Sequence, residues 1–203
     1  MKKQILKIVL VVLCVFTSLY PIKYFFGPIN VGLLATKTQE LLADSLWNIG
    51  FYGHITFGGL ALLVGWIQFN KRIRRKYIKI HRVIGIIYAL SVLISSICGI
   101  YIAFFATGGI LTRLGFIFLG MVWLGSTIYA YASVIVGNLL EHQKFMLYSY
   151  ATCVAAVSLR LWLPILLMFI EDFIIAYSIV AWLCWVPNLF IAYLINRKLN
   201  SKL

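Results

Sequence analysis

The sequence predicts an all-α, polytopic membrane bundle of six transmembrane helices with both termini cytoplasmic. Three observations carry that prediction. Of 203 residues, 63% are hydrophobic and 11% charged, against roughly 25% charged residues in a soluble domain. Six apolar runs are long enough to cross a hydrocarbon core of roughly 30 Å, which takes about 20 helical residues. They are continuously apolar, not alternating, which disfavours a transmembrane β-barrel. The 18 Lys and Arg, finally, are distributed unevenly between the runs.

The runs fall at residues 5–22, 47–69, 82–104, 113–135, 145–169 and 173–195. Lys2 and Lys3 precede the first, and Lys7 falls in its opening turn. The TSLYPIKYF that follows it has no small-residue cleavage pattern, so this run reads as an uncleaved anchor, not a signal peptide. Next come Gly27, Pro28 and Gly32, then TKTQELLADSLW, whose leucines suit a helix lying in the interface. Lys71, Arg72, Arg74, Arg75, Lys76, Lys79 and Arg82 separate the second and third runs, Lys144 lies between the fourth and fifth, and Arg197, Lys198 and Lys202 follow the sixth. The opposite side holds Lys23, Lys37 and Arg113, together with Glu40, Asp44, Glu171 and Asp172.

This positive-inside bias predicts a multi-pass protein of the cytoplasmic membrane. It also accounts for the net charge of +13 without nucleic acid as a partner. The basic 71–82 segment suits anionic lipid headgroups. We expect a single membrane domain over residues 1–203: an anchor and outer loop (1–46), a core (47–169) and a last helix with a basic tail (170–203). Cys14, Cys98, Cys153 and Cys184 lie far apart inside the runs, which indicates neither a disulfide framework nor a zinc ribbon.

Stripes of small and polar residues, each begun by a histidine, recur at four/three spacing on three runs. In the second they are His54, Gly58, Ala61, Gly65 and Gln68; in the third His81, Gly85, Tyr88, Val92, Ser95 and Gly99; in the fifth His142, Met146, Ser149, Cys153, Ala156 and Arg160. Stripes of small residues let helices approach closely. If these stripes face one another, they line the interior of the bundle. His142 and Arg160 stand eighteen positions apart, five helical turns or about 27 Å, on one face. Gln68, His81 and His142 are expected near the cytoplasmic face, and His54 and Arg160 in the outer half. An intramembrane guanidinium faces protein or water. Since no acid falls in any run, Arg160 needs a neutral, loop or ligand partner. One neutral option is a kink at Pro164, which displaces the carbonyl of Arg160.

Three segments, GHITFGGLALLVGWIQF, IHRVIGIIYAL and EHQKFMLYSYATCVAAVSLRLWLP, together resemble a family of bacterial predicted membrane proteins, domain of unknown function 2306 (DUF2306), over about residues 47–165. His54, Gln68, Phe69, His81, Arg82, Gly85, His142, Met146, Leu159 and Arg160 match its pattern. Phe145 stands where a Trp is usual, and Tyr148 where an Arg is common. The resemblance implies this residue set and no particular activity.

Two neutral imidazoles can hold haem iron or contribute to a transition-metal site, so His81 and His142 are the expected ligand pair, of a b-type haem or another metal. His54 is the third cofactor-binding candidate, with Met121 as a companion for His/Met ligation. Gln68 or Glu141 would accept the second imidazole N–H. Arg160 and Gln68 are the candidates for an anionic or carbonyl-bearing ligand, such as a lipid or quinone. Ser-His-Asp, phosphate-loop and H-E-x-x-H motifs are missing from the sequence, which leaves hydrolysis without machinery and no residue marked as catalytic. Three function classes remain: a redox-type or metal-binding membrane protein resembling a b-type electron carrier, a small transporter or lipid- or quinone-binding protein, and a non-catalytic assembly factor.

Overall fold

The computed structural model describes the backbone of residues 2–27 and 32–200 and the side chains of 4–27 and 32–198. Pro28 and Lys202, and the side chains of Lys2 and Lys3, lie outside the described residues. All regular structure among the described residues is helical: α1 (Lys2–Leu19), α2 (Ile22–Phe26), α3 (Gln39–Ala43), α4 (Ser45–Gly65), α5 (Lys71–Lys76), α6 (Ile78–Ala103), α7 (Gly109–Ile135), α8 (Leu139–Cys153), α9 (Ala155–Leu167), α10 (Phe173–Leu183) and α11 (Val186–Asn200). Six stretches are long and apolar enough to cross a membrane: Gln4–Phe26, Ser45–Phe69, Ile78–Ala103, Gly109–Ile135, Leu139–Leu167 and Phe173–Lys198. They coincide with the six predicted runs and extend most of them into their polar flanks.

The surface follows the same logic. Leu6, Phe16, Ile49, Leu90, Ile110, Ile135 and Phe169 are exposed, while Ser91, Ser95, Thr112, Thr127, Ser149 and Thr152 are buried. Lipid gives apolar side chains no reason to hide, so packing and interhelical hydrogen bonds hold such helices together.

The chain divides into two compact units, Met1–Ile102 and Ala103–Leu203. In the first, TKTQELLADSLW does not form one helix. Thr38 caps the short α3, accepting from Leu41 N, and Asp44 then caps α4, accepting from Trp47 N at 2.7 Å. Two N-capping side chains so close together force two helix starts. The leucines do find an apolar face: Leu41 and Leu42 pack on a cluster of Leu34, Trp47 and Phe51. At the far end of α4, Asn70 caps the basic α5, accepting from Arg72 N (2.9 Å) and Ile73 N (3.3 Å). Arg74, Arg75 and Lys76 occupy the last turn of α5, where cations complement the helix dipole.

In the second unit, Gly137 (φ +79°) ends α7 in the left-handed conformation that favours glycine, and Asn138 caps α8, accepting from Glu141 N at 3.2 Å. Thr112 and Ser178 bond hydroxyl to hydroxyl at 2.7 Å, and Trp182 Nε1 donates to Leu111 O at 3.1 Å, tying α10 to α7. The fifth and sixth spans each carry a local irregularity in mid-course, which we call a break, between α8 and α9 at Val154 and between α10 and α11 at Cys184–Trp185, although the backbone at Val154 and Cys184 stays right-handed helical. Pro164 lies inside α9, which runs on to Leu167.

Candidate functional site

His54 projects from the middle of α4 onto α6. Its Nδ1 lies 2.9 Å from Ser95 O, and the Ser95 hydroxyl, 3.2 Å from the same nitrogen, donates back to His54 O at 2.9 Å. The ring rests on Gly99, where a Cβ would stand 2.7 Å from Nδ1. One turn along, a Cβ on Gly58 would meet Ser95 Oγ at 3.0 Å. At these positions the small-residue stripes of the second and third spans face each other and form a tight packing seam.

His81 and Gln68 come together at the other end of the same helix pair. The Gln68 amide, buried at 8% exposure, donates to His81 O at 3.2 Å. Gln68 thus serves the backbone of His81 instead of accepting from its ring. Ser95 and His81 are fourteen residues apart on α6, about 21 Å, so His54 and His81 occupy different depths, as expected.

In the second unit, His142 lies in the first turns of α8 with Nδ1 2.9 Å from Ala130 O on α7. A backbone carbonyl takes the role expected of Glu141, which instead pairs with Lys144 at 3.3 Å. Farther along, Ser149 meets Thr127 hydroxyl to hydroxyl at 2.6 Å, and Ser149 and Cys153 are buried. Arg160 Nη1 donates to Ala156 O at 2.8 Å. One neutral partner of the kind required by the lack of intramembrane acids is thus a carbonyl of its own helix, one turn before the one Pro164 displaces. Met121 is exposed on α7.

A carbonyl can only accept, so the Nδ1 of both His54 and His142 carries the proton, and in the neutral ring the lone pair falls on Nε2. Imidazoles that ligate metals are oriented in this manner. Among the described residues no group of three or more His, Cys, Asp or Glu comes together to hold a metal ion.

The sequence matches DUF2306, described as a predicted membrane protein family, over residues 51–196. The chain belongs to the DUF2306 family. Comparison with curated proteins and with solved structures found no match. The DUF2306 region contains His54, Gln68, His81, His142 and Arg160, whereas the first span lies outside it.

It also contains Asn188, which sequence reasoning passed over. Its Nδ2 lies within bonding distance of Cys184 O (3.0 Å), Ala151 O (3.2 Å) and Ser158 Oγ (3.0 Å), and Ser158 Oγ reaches its Oδ1 at 3.2 Å. One amide therefore sits beside both mid-span breaks of this DUF2306 protein. The signal was a lone Asn after Pro187 in an apolar run.

Proposed function

We propose that this DUF2306 protein is a redox-type membrane protein that holds a b-type haem with His142 as an axial ligand. The observation that carries the reading is the 2.9 Å contact from His142 Nδ1 to Ala130 O, which orients the ring and leaves Nε2 to bind iron. A porphyrin supplies four of the iron's ligands, so haem asks the protein for only two side chains. A metal ion without a macrocycle needs three or four, and no such cluster occurs among the described residues. The sequence pairs His142 with His81 and leaves His54 as the further candidate. When bound, the haem would supply one-electron chemistry, and the imidazoles would hold and tune its iron.

The full chain purified from cells supplied with haem is expected to show a Soret band, with a reduced-minus-oxidised difference spectrum, that is abolished in His142→Ala and in His81→Ala. Gln143→Ala, on the exposed neighbour of His142, is expected to retain it. A colourless protein after haem supplementation, or a band unchanged in both histidine variants, refutes the reading.

The orientation that goes with this function has both termini in the cytoplasm, on the strength of the charge bias, with Lys71, Arg72, Arg75 and Lys76 of α5 exposed to anionic headgroups of the cytoplasmic membrane. Single cysteines introduced at Arg75 and at Glu171 are expected to differ in intact cells: the second reacts with an impermeant maleimide and the first only after lysis. The opposite pattern inverts the topology.

A further inference from the structure

We propose that the second unit carries a specific site for one anionic glycerophospholipid, distinct from the histidines, with its acyl chain in a groove between α7, α8 and α11 and its phosphate at a basic mouth. The groove, about 550 Å³, is lined by Val122, Gly125 and Ser126 of α7, Phe145 and Tyr148 of α8, and Leu189, Phe190 and Tyr193 of α11. Its volume falls within the roughly 300–1,000 Å³ of ligand pockets. It is a shallow depression open to the protein surface, as a site filled sideways from the bilayer has to be. A second cavity of about 280 Å³ is lined by Lys144, Tyr148, Tyr193, Asn196 and Arg197. Tyr148 and Tyr193 belong to both, so the apolar groove passes into the basic mouth between two phenols.

The register of the helices makes this gradient directional. Asn196 Nδ2 donates to Lys144 O at 3.2 Å and Asn188 Nδ2 to Ala151 O at 3.2 Å, so α11 runs antiparallel to α8. Stepping from Lys144 to Tyr148 on one helix and from Arg197 through Tyr193 to Leu189 on the other therefore moves in the same direction, from cation to phenol to hydrocarbon. From Arg197 to Leu189 is about 12 Å along the axis. That order matches a phospholipid: phosphate, then ester oxygens, then chain. Tyrosines favour the headgroup level, where one end of the ring is wet and the other apolar.

Charge fixes the class of headgroup. Lys144 is paired with Glu141 at 3.3 Å, and both are partly exposed, so with exposed Arg197 the mouth carries a net positive charge. That favours a lipid with a net negative charge over a zwitterion, whose own cation would compete for the same ground. Gly125 supplies the space for the chain: a Cβ built there meets nothing within 4 Å. A Cβ at Gly125 therefore displaces no neighbour, and leucine, which extends the side chain over the groove lining, raises helix propensity there.

The test is native mass spectrometry of the full detergent-purified chain titrated with phosphatidylglycerol or phosphatidylcholine of identical acyl chains, with circular dichroism on each variant as a folding control. Wild type is expected to retain one phosphatidylglycerol at least tenfold more tightly than phosphatidylcholine. Arg197→Gln, which leaves the Glu141–Lys144 pair intact, and Lys144→Gln/Arg197→Gln are expected to lose that preference stepwise. Gly125→Leu is expected to lose retention of phosphatidylglycerol while keeping its helical signal, and inorganic phosphate at millimolar concentration is expected not to compete. Equal retention of the two lipids overturns the proposal. So does a preference that survives the double variant, which would assign it to the 71–82 segment, as does a Gly125→Leu protein that binds as wild type. Displacement by inorganic phosphate alone would show a simple anion site and overturn it as well.

Discussion

Gly99→Leu is expected to destabilise the protein by about 3 kcal/mol, the upper range for overpacking a tight contact, measured as a fall in the denaturant midpoint of the detergent-solubilised chain. The first methyl-sized atom of the new side chain would stand 2.7 Å from His54 Nδ1 and 2.9 Å from Cε1, closer than Cβ atoms pack. The ring cannot swing aside freely, because Ser95 O holds its Nδ1 at 2.9 Å and the Ser95 hydroxyl grips the His54 carbonyl at 2.9 Å. Either that bonded pair breaks or α4 and α6 separate. Since packing drives association inside a bilayer, separation forfeits the main cohesion of the pair. Gly125→Leu is the matched control: the same substitution in a transmembrane helix, entering open space, is expected to leave the midpoint unchanged or raised. Removing the ring should relieve the clash, so Gly99→Leu/His54→Ala is expected to be more stable than the sum of the single changes by at least about 1 kcal/mol. Equal midpoints for Gly99→Leu and Gly125→Leu would sink the argument.

The same pair of helices marks how much was legible beforehand. Continuous apolar runs specify transmembrane helices because lipid leaves a backbone no other hydrogen-bond partner, and all six were readable for that reason. The stripe from His54 to Gln68 and the stripe from His81 to Gly99 were readable as close-packing faces, since small residues at helical spacing have few other uses in a membrane. What His54 and His142 bond to was not readable. Both choose backbone carbonyls, Ser95 O and Ala130 O, and every residue carries a carbonyl, so sequence gives it no mark. Gln68 and Glu141 were the visible acceptors; Glu141 pairs instead with Lys144, and Gln68 is seen donating its amide N–H to His81 O. The breaks in the fifth and sixth spans were missed for a related reason. Proline is the familiar signal for an interrupted helix, yet α9 carries Pro164 without interruption, whereas Val154 marks a break with no proline or glycine beside it. There the Thr152 hydroxyl takes Ser149 O at 2.7 Å and Asn188 takes Ala151 O at 3.2 Å. Side-chain donors competing for helix carbonyls bend helices, and one of these donors comes from a different span.

Asn188→Leu should therefore lower stability by about 2 kcal/mol, the range for leaving buried polar groups unsatisfied. Asn188 serves two carbonyls at once, Cys184 O and Ala151 O, one beside each break. In water that loss would be made good by solvent; in the apolar interior of a span it is not. Leucine keeps the branching at Cγ and the number of side-chain heavy atoms but is bulkier, so Asn188→Asp is the variant that separates hydrogen bonding from packing. Ser158→Ala separates the contributions. It removes the hydroxyl that exchanges bonds with the Asn188 amide at 3.0 and 3.2 Å while leaving both carbonyls served, and is expected to cost about 0.6 kcal/mol, the mean for an interhelical hydrogen bond in a membrane protein. Asn188→Asp keeps the shape and an acceptor but has no N–H to give the carbonyls, so it should fall with Asn188→Leu and not with wild type. Unfolding midpoints in the order wild type, Ser158→Ala, then the two Asn188 variants are the expected result. A Ser158→Ala loss as large as that of Asn188→Leu would mean that the hydroxyl pair, and not the carbonyl bridge, holds the two broken spans together.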